Sequence, residues 1–515
     1  MPVATQHVRV GLAQFNPVVG DIAGNSRRIR ELYAAANDAG CDMVAFPELS
    51  ITGYPPEDLV LKSGFVAENQ RAMREIVAET QGCVAVFGFV DGTLGSLSNS
   101  AAIASNGTLH GTYNKQLLPN YSVFDEERYF TPGPSIQDVF TCNGIPFAVS
   151  ICEDLWVGDP TEQQAQQGAK LCISINGSPF HRNKPTQRDD LVSSRAQSNG
   201  VVVAYVNQIG GQDELVFDGG SLVADARGVI QARAAAFAED LLVCDVNAQG
   251  DVVCVSPQHE VERASSELER VHAALVLGTR DYVKKNGFTD VVIGLSGGID
   301  SALVAAIAVE ALGAEHVHGV SMPSRYSSDG SKDDALALAQ NLNIPYQSVP
   351  IEPAFAAYLS MLEEGFAGKA EDLTEENLQS RVRGMILMAL SNKHGWMVLT
   401  TGNKSELAVG YFTLYGDSVG GFGIIKDVLK TTVYELCEWV NERAGAPLIP
   451  RAIIDKAPSA ELRPGQVDQD SLPPYDLLDA ILEGYVARRL SVAELVATGF
   501  EEDTVRRITT LVDRA

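Results

Sequence analysis

No run of about 18 consecutive apolar residues occurs in this chain, so no membrane-spanning helix is expected. Its start, MPVATQHVRV, has no basic stretch followed by an apolar one, so no export signal is expected either. Basic residues are scarce: 39 Lys and Arg stand against 66 Asp and Glu, a net charge of −27 at pH 7. Such a chain repels nucleic-acid phosphates, and any anionic ligand must be met by backbone donors and a few placed cations. The acidic residues are dispersed rather than gathered in a tail, which fits a folded acidic protein. The eight cysteines (41, 83, 142, 152, 172, 244, 254 and 437) include no Cys-x-x-Cys pair, which removes the metal-knuckle and redox-motif readings. In a long chain without an export signal they are expected to be reduced, mostly as small buried hydrophobes, in a cytoplasmic protein.

What is present is long enough for two cores: 515 residues, 45% hydrophobic. Short apolar runs at 8–15, 42–47, 83–89, 146–151, 171–175 and 201–207 read as strands. Between them, NSRRIRELYAAANDAG (25–40) reads as a helix capped by Asn25 or Ser26 and stopped by Gly40. The polar stretch SPQHEVERASSELER reads as a linker at 256–270, dividing a first domain at 1–255 from a second at 271–515. The second domain follows a βαβαβ grammar. A helix at 272–287 is followed by strand 291–295, helix 299–313, strand 316–323, helix 333–343, strand 344–351 and strand 396–401. That grammar belongs to a doubly wound parallel sheet, with ligands at the carboxyl ends of its strands.

Residues 294–301 read GLSGGIDS, a small-residue turn between a strand and a helix. Its backbone N–H groups and the helix N-terminus suit an anion, yet the lysine of a G-K-[ST] phosphate loop is missing. A loop of backbone donors and hydroxyls suits a pyrophosphate that leaves as a unit, after attack on an α-phosphate. Asp300 would repel phosphate by itself; holding Mg²⁺ against the phosphates gives it a role.

The strand–SGGIDS pattern resembles the PP-loop family of ATP pyrophosphatases. The later blocks ENLQSRVRG (376–384), TTGNKSELAVGYFTLYGD (400–417) and KDVLKTTVYEL (426–436) resemble NAD synthetase. This resemblance covers about 271–515. It implies an ATP site at Gly294, Leu295, Ser296, Gly297, Gly298, Ile299, Asp300 and Ser301, with Thr401 at the nucleotide and Lys430 and Thr431 near the phosphates. Asp300 and Glu406 would hold magnesium. Asn377, Arg381 or Arg383, Glu406 and Asp417 would line the deamido-NAD side. The family usually ends in a basic segment that reaches the dinucleotide; the chain closes on LVDRA, which leaves Arg506, Arg507 or Arg514 for that contact.

In the first half, Glu48 and Cys152 each follow a predicted strand directly, and Lys115 follows a less regular one. If the three converge, a lysine would lower the thiol pKa and stabilise an oxyanion, and a glutamate would serve as general base and acid: an amide hydrolase without histidine. Composition alone would favour chance. The flanks FPELSITGYP, YNKQLLPNY and SICEDLW, however, resemble the nitrilase, or carbon–nitrogen hydrolase, superfamily over about 7–250. That resemblance implies an αββα sandwich, a Glu48-Lys115-Cys152 triad and Glu126 as a supporting carboxylate. For glutamine it implies contacts from Tyr121, Ser178 and Lys184, with Tyr54 a further pocket candidate.

Together the halves resemble the glutamine-dependent NAD synthetases. The substrates implied are ATP with Mg²⁺, deamido-NAD and glutamine, with ammonia passed through a channel to an acyl-adenylate, and a homo-oligomer is implied. Two rivals remain. Another PP-loop amidotransferase would carry a different glutaminase, and Pro2 excludes an N-terminal cysteine nucleophile; a tRNA-modifying member would want a basic surface. A non-catalytic binder is opposed by the intact Glu48, Lys115, Cys152 and Asp300.

Overall fold

The computed structural model describes residues 6–255, 259 and 265–515. Its contacts divide the chain into two compact units, Met1–Arg270 and Val271–Ala515.

The first unit is built on two large sheets. One has seven strands, in the order Val252–Cys254, Asp240–Asn247, His7–Gln14, Met43–Ala45, Val84–Thr93, Ser96–Ser105, Thr108–Asn114. The other has six, in the order Ile230–Arg233, Leu222–Ala224, Val202–Asn207, Leu171–Asn176, Ile145–Ile151, Phe140–Cys142. Val10, Leu12, Met43, Val86 and Ile103 of the first meet Phe147, Val149, Ile173, Val202 and Val206 of the second in one shared core. On the outer face of the seven-stranded sheet, helices Ile22–Asp38 and Ser63–Glu79 bury Ile29, Leu32, Met73 and Ile76 against Val44 and Phe87. Helix Lys184–Asn199 covers the six-stranded sheet with Val192 and Ala196 against Val203 and Tyr205. The architecture is the expected αββα sandwich. Strands such as Val202–Asn207 are buried along their whole length, which is why they read as continuous apolar runs.

The first helix begins earlier than its composition suggested. Its cap is Asp21, whose carboxylate accepts the Gly24 N–H at 2.9 Å, not Asn25 or Ser26. Asn25 is buried and spends its amide on the backbones of Val18 and Ile51, so a residue type that usually caps serves a tertiary tie instead.

In the second unit five strands run parallel, in the order Tyr346–Ser348, Val317–Ser321, Val291–Gly294, Met397–Thr400, Phe422–Gly423. The central strand, Val291–Gly294, leads through the GLSGGIDS turn into helix Ile299–Leu312, most of which is buried. Helix Glu267–Lys285 takes up the last residues of the expected linker. There Ser266 Oγ accepts the Glu269 N–H while Glu269 accepts the Ser266 N–H, a reciprocal cap hidden inside a charged stretch. Of the linker expectation, 256–258 and 260–264 lie outside the described residues. Ser328 likewise caps helix Asp329–Asn341 four residues ahead of the expected start. The C-terminal helices close over Leu478, Ile481, Leu482, Val505 and Ile508. Among the described residues, no helix is long and apolar enough to cross a membrane.

Two candidate active sites

In the first unit the three strand-end residues are all buried. Glu48 lies in a turn after Met43–Ala45 that presses on Gly88; a Cβ there would stand 2.1 Å from the Leu49 nitrogen, so only glycine lets the turn seat. Lys115 follows Thr108–Asn114 and is fixed by its N–H to the Asn99 carbonyl at 2.8 Å. Its ammonium, without solvent exposure, donates to Glu48 Oε1 and to Glu126 Oε1, both at 2.7 Å. Glu48 also accepts from Asn99 Nδ2 at 2.7 Å and from the Gly177 N–H at 2.8 Å. Tyr54 donates to Glu126 at 2.8 Å. Cys152 turns from strand Ile145–Ile151 into helix Glu153–Val157 with φ of 46°, a strained conformation for a non-glycine residue of the kind functional turns hold. Asp154 ties this turn to the lysine segment: it accepts from the Ile151, Gln116 and Leu117 N–H groups and from the Tyr113 hydroxyl.

Burial and the neighbouring charges compete in this pocket. Burial opposes the Lys115 ammonium, but Glu126 and Glu48 more than offset it and its pKa is raised. Burial and Glu48 push the Cys152 thiol well above its ordinary range; Lys115 and Lys184 pull the other way and lose. Lys115 thus acts on the thiol in the expected direction, but burial and Glu48 outweigh it. Burial raises Glu126 as well.

The expected glutamine contacts are placed unevenly. Ser178 is buried, its backbone clamped on both sides by the Asn207 amide. Lys184 lies 3.6 Å over the Trp156 ring, and burial lowers its pKa. Tyr121 is exposed, its hydroxyl donating to Glu153.

The second site lies at the carboxyl ends of the parallel strands. Gly297 has φ of +78°, and a Cβ there would stand 2.2 Å from the Ser331 carbonyl oxygen. Ser296 Oγ accepts the Gly298 N–H and meets the Ser301 hydroxyl at 3.2 Å, curling the loop upon itself. Asp300 receives Asn403 Nδ2 at 2.9 Å and Lys430 Nζ at 2.5 Å; Lys430 also reaches Glu406 at 3.3 Å. Lys430 is buried, not the solvated lysine its composition alone suggests. Two carboxylates bridged by one cation is a donor pair that suits Mg²⁺, which commonly takes one or two protein carboxylates and completes its shell with phosphates and water. Burial and Asp300 raise the Glu406 pKa against the pull of Lys430. Thr401 stands just past strand Met397–Thr400.

Asn377 accepts from Thr413 Oγ1 at 2.8 Å, and Asp417 binds the Thr413 N–H and the Ser380 hydroxyl. Arg381 is exposed and reaches the Leu414 carbonyl, whereas Arg383 reaches the Met322 carbonyl and has its pKa lowered by burial to about 10. Asp417 lines a cavity of about 210 Å³ with Thr400, Phe412, Phe422 and Lys426. Of the terminal arginines, Arg506 is spent on Glu502, and Arg507 donates to the Ser471 carbonyl.

Sequence reasoning missed Asn99, Asp154 and Lys456. Lys456 Nζ reaches both the Gly297 carbonyl at 3.2 Å and Ser331 Oγ at 3.1 Å and pairs with Asp334. None of the three carried a signal of its own in the sequence: Asn99, for one, sits between Ser98 and Ser100 in SLSNSAAIAS.

Comparison with known proteins gives consistent matches. A family described as NAD synthase matches residues 271–515, and one described as carbon-nitrogen hydrolase matches residues 9–250. A glutamine-dependent NAD(+) synthetase of Xanthomonas campestris is 48% identical over 99% of this chain and 93% of its own. That of Thermotoga maritima is 44% identical over 98% and 93%. The solved glutamine-dependent NAD+ synthetase of Acinetobacter baumannii, in complex with adenosine diphosphate, superposes with a TM-score of 0.84 at 41% identity, covering 99% of this chain and 93% of that one.

Proposed function

The chain belongs to the glutamine-dependent NAD synthetases, and from that premise we propose how its two units share one reaction. The reaction is ATP-dependent amidation of deamido-NAD to NAD with nitrogen hydrolysed from glutamine, through an acyl-adenylate, releasing AMP, pyrophosphate and glutamate. We assign residues 1–255 to glutamine hydrolysis, 256–270 to the linker and 271–515 to amidation.

The observation that carries the first assignment is the dry Glu48–Lys115–Glu126 cluster beside a strained cysteine turn. Glu48 takes the Cys152 proton as sulfur attacks the glutamine carboxamide carbon. Lys115, held cationic by its two carboxylates, stabilises the oxyanion. Glu48 then delivers the proton to departing ammonia, leaving a thioester. Water, deprotonated by Glu48, releases glutamate and restores the thiol. Glu126 keeps Lys115 in place; Tyr121, Ser178 and Lys184 hold the amino-acid end of glutamine.

In the second unit the loop Gly294–Ser301 and Thr401 hold ATP, and Asp300 and Glu406 would hold Mg²⁺, whose charge would offset that of the phosphates. Lys430 keeps those two carboxylates together and adds positive charge beside the phosphates. Lys456, at the Gly297 carbonyl, supplies the cation missing from the loop's own sequence. Asn377, Arg381, Glu406 and Asp417 receive deamido-NAD. Exposed Met361, Leu373, Met385, Leu414 and Tyr415 support a homo-oligomer formed through this unit. Eight cysteines, none of them in a disulfide, support a cytoplasmic location.

The test follows NAD formation from deamido-NAD and Mg-ATP, with glutamine or with ammonium, in wild type and in Cys152→Ala. Loss of the glutamine reaction alone supports both assignments. A variant that still uses glutamine removes Cys152 as nucleophile, and a wild type inactive with both nitrogen sources removes the amidation reading.

A further inference from the structure

Asn99 lies in strand Ser96–Ser105 and touches two members of the first site by different groups. Its side-chain Nδ2 donates to Glu48 Oε1 at 2.7 Å. Its backbone carbonyl accepts the N–H of Lys115 at 2.8 Å. The same Glu48 oxygen receives the Lys115 ammonium at 2.7 Å, so the three residues close a small ring of bonds around one carboxylate oxygen. The orientation of the amide follows from charge: turned over, it would set Oδ1 against the carboxylate.

This arrangement leaves Asn99 Oδ1 buried without a partner. Buried polar atoms are nearly always satisfied, and one that is not needs a reason. A leucine of nearly the same shape would fill the strand position without that cost. The amide gives up an acceptor where its donor is of use, which is the pattern of a residue kept for a site rather than for packing.

Resting on the assignment of Glu48, Lys115 and Cys152 above, we propose that Asn99 is a positioning residue for glutamine hydrolysis, fixing Glu48 to receive the Cys152 proton and holding Lys115 in register beside it. The Gly177 N–H anchors the other oxygen of Glu48, so removal of the Asn99 donor frees the carboxylate to pivot on that single anchor and on Lys115. A base misplaced by about 1 Å costs about 10²-fold in rate. Glutamine's own contacts are untouched, so the loss falls on kcat and not on KM.

The experiment compares wild type, Asn99→Leu, Asn99→Asp and Cys152→Ala in the full chain. It measures glutaminase kcat and KM and the rate at which iodoacetamide alkylates Cys152. The expected result for both Asn99 variants is kcat lower by about 10²-fold with KM for glutamine little changed. Cys152 alkylation is also expected to be slower, because the thiol has lost its placed base. A merely structural asparagine gives the opposite sign: a loosened pocket exposes the thiol and speeds alkylation while KM rises. That outcome overturns the proposal, as does a kcat close to wild type. Asn99→Asp keeps the shape of the side chain and decides the matter if Asn99→Leu does not fold. Cys152→Ala separates the two levels. If it still hydrolyses glutamine, the underlying assignment fails; if it does not, while the Asn99 variants keep a kcat close to wild type, only the role of Asn99 fails.

Discussion

The ammonium of Lys456 lies 3.2 Å from the carbonyl oxygen of Gly297, 159 residues earlier in the chain. The loop that lacks a lysine in sequence has one in space. It is delivered by the segment after the short helix Arg451–Asp455 and steadied by Asp334 and Ser331.

Lys456→Ala is expected to remove a charge-assisted contact to the nucleotide. Hydrogen bonds to charged groups contribute about 1.5–3 kcal/mol, so kcat/KM for ATP falls by about 10–150-fold. The loss is equal with glutamine and with ammonium, because ATP is used the same way in both. Steady-state kinetics with the two nitrogen sources checks this; a defect confined to glutamine would place Lys456 outside the ATP site.

Gly297→Ala acts on the same loop by geometry alone. With φ of +78° and a Cβ 2.2 Å from the Ser331 carbonyl, the loop must shift. Strain of this kind costs about 1–3 kcal/mol. The expected outcome is a raised KM for ATP and a lowered unfolding temperature of the second unit, read by calorimetry. Wild-type KM in this variant would show that the loop is not where ATP binds.

Much of both folds was legible because parallel strands buried on two faces write themselves as apolar runs, as Val202–Asn207 and Val291–Gly294 do. Helix starts were less legible. Ser266 and Ser328 cap helices from inside polar stretches and Asp21 from between Gly20 and Ile22, while Asn25, a good cap by type, is used for tertiary bonds. Glu48, Lys115 and Cys152 could be picked out because each follows a strand. Asn99 and Asp154 could not be, because their work is done through bonds to residues 51 and 37–38 positions away. The balance of forces on the thiol was only half legible for a similar reason: Lys115 lowers its pKa as expected, but burial, which no residue list displays, outweighs the lysine.

Arg188 forms a two-pronged pair with Asp218, at 2.7 and 3.0 Å, and both are buried. Removing one partner strands the other. Arg188→Ala is expected to destabilise the first unit by about 3–5 kcal/mol, and the double variant Arg188→Met/Asp218→Leu to regain most of it. Urea titration of the three chains checks this. A double variant no better than Arg188→Ala would mean that packing, not the stranded charge, carries the loss.

Asp154 gives a pH dependence whose sign can be worked out. Burial pushes its carboxyl from 3.8 to about 6, against the donors of Leu117, Tyr113 and Ile151 and the charge of Lys115. Between those two values the folded chain binds the proton and the unfolded chain releases it. The stability this group contributes is therefore fully present below 3.8 and lost as pH rises through about 6. Asp154→Asn does not titrate. The wild-type unfolding temperature minus that of Asp154→Asn is expected to fall as pH rises from about 4 to about 6 and to level off above. A difference that stays flat through this window would mean that the four donors hold Asp154 ionised throughout. The tie between the Lys115 segment and the Cys152 turn would then be a charged one throughout that window.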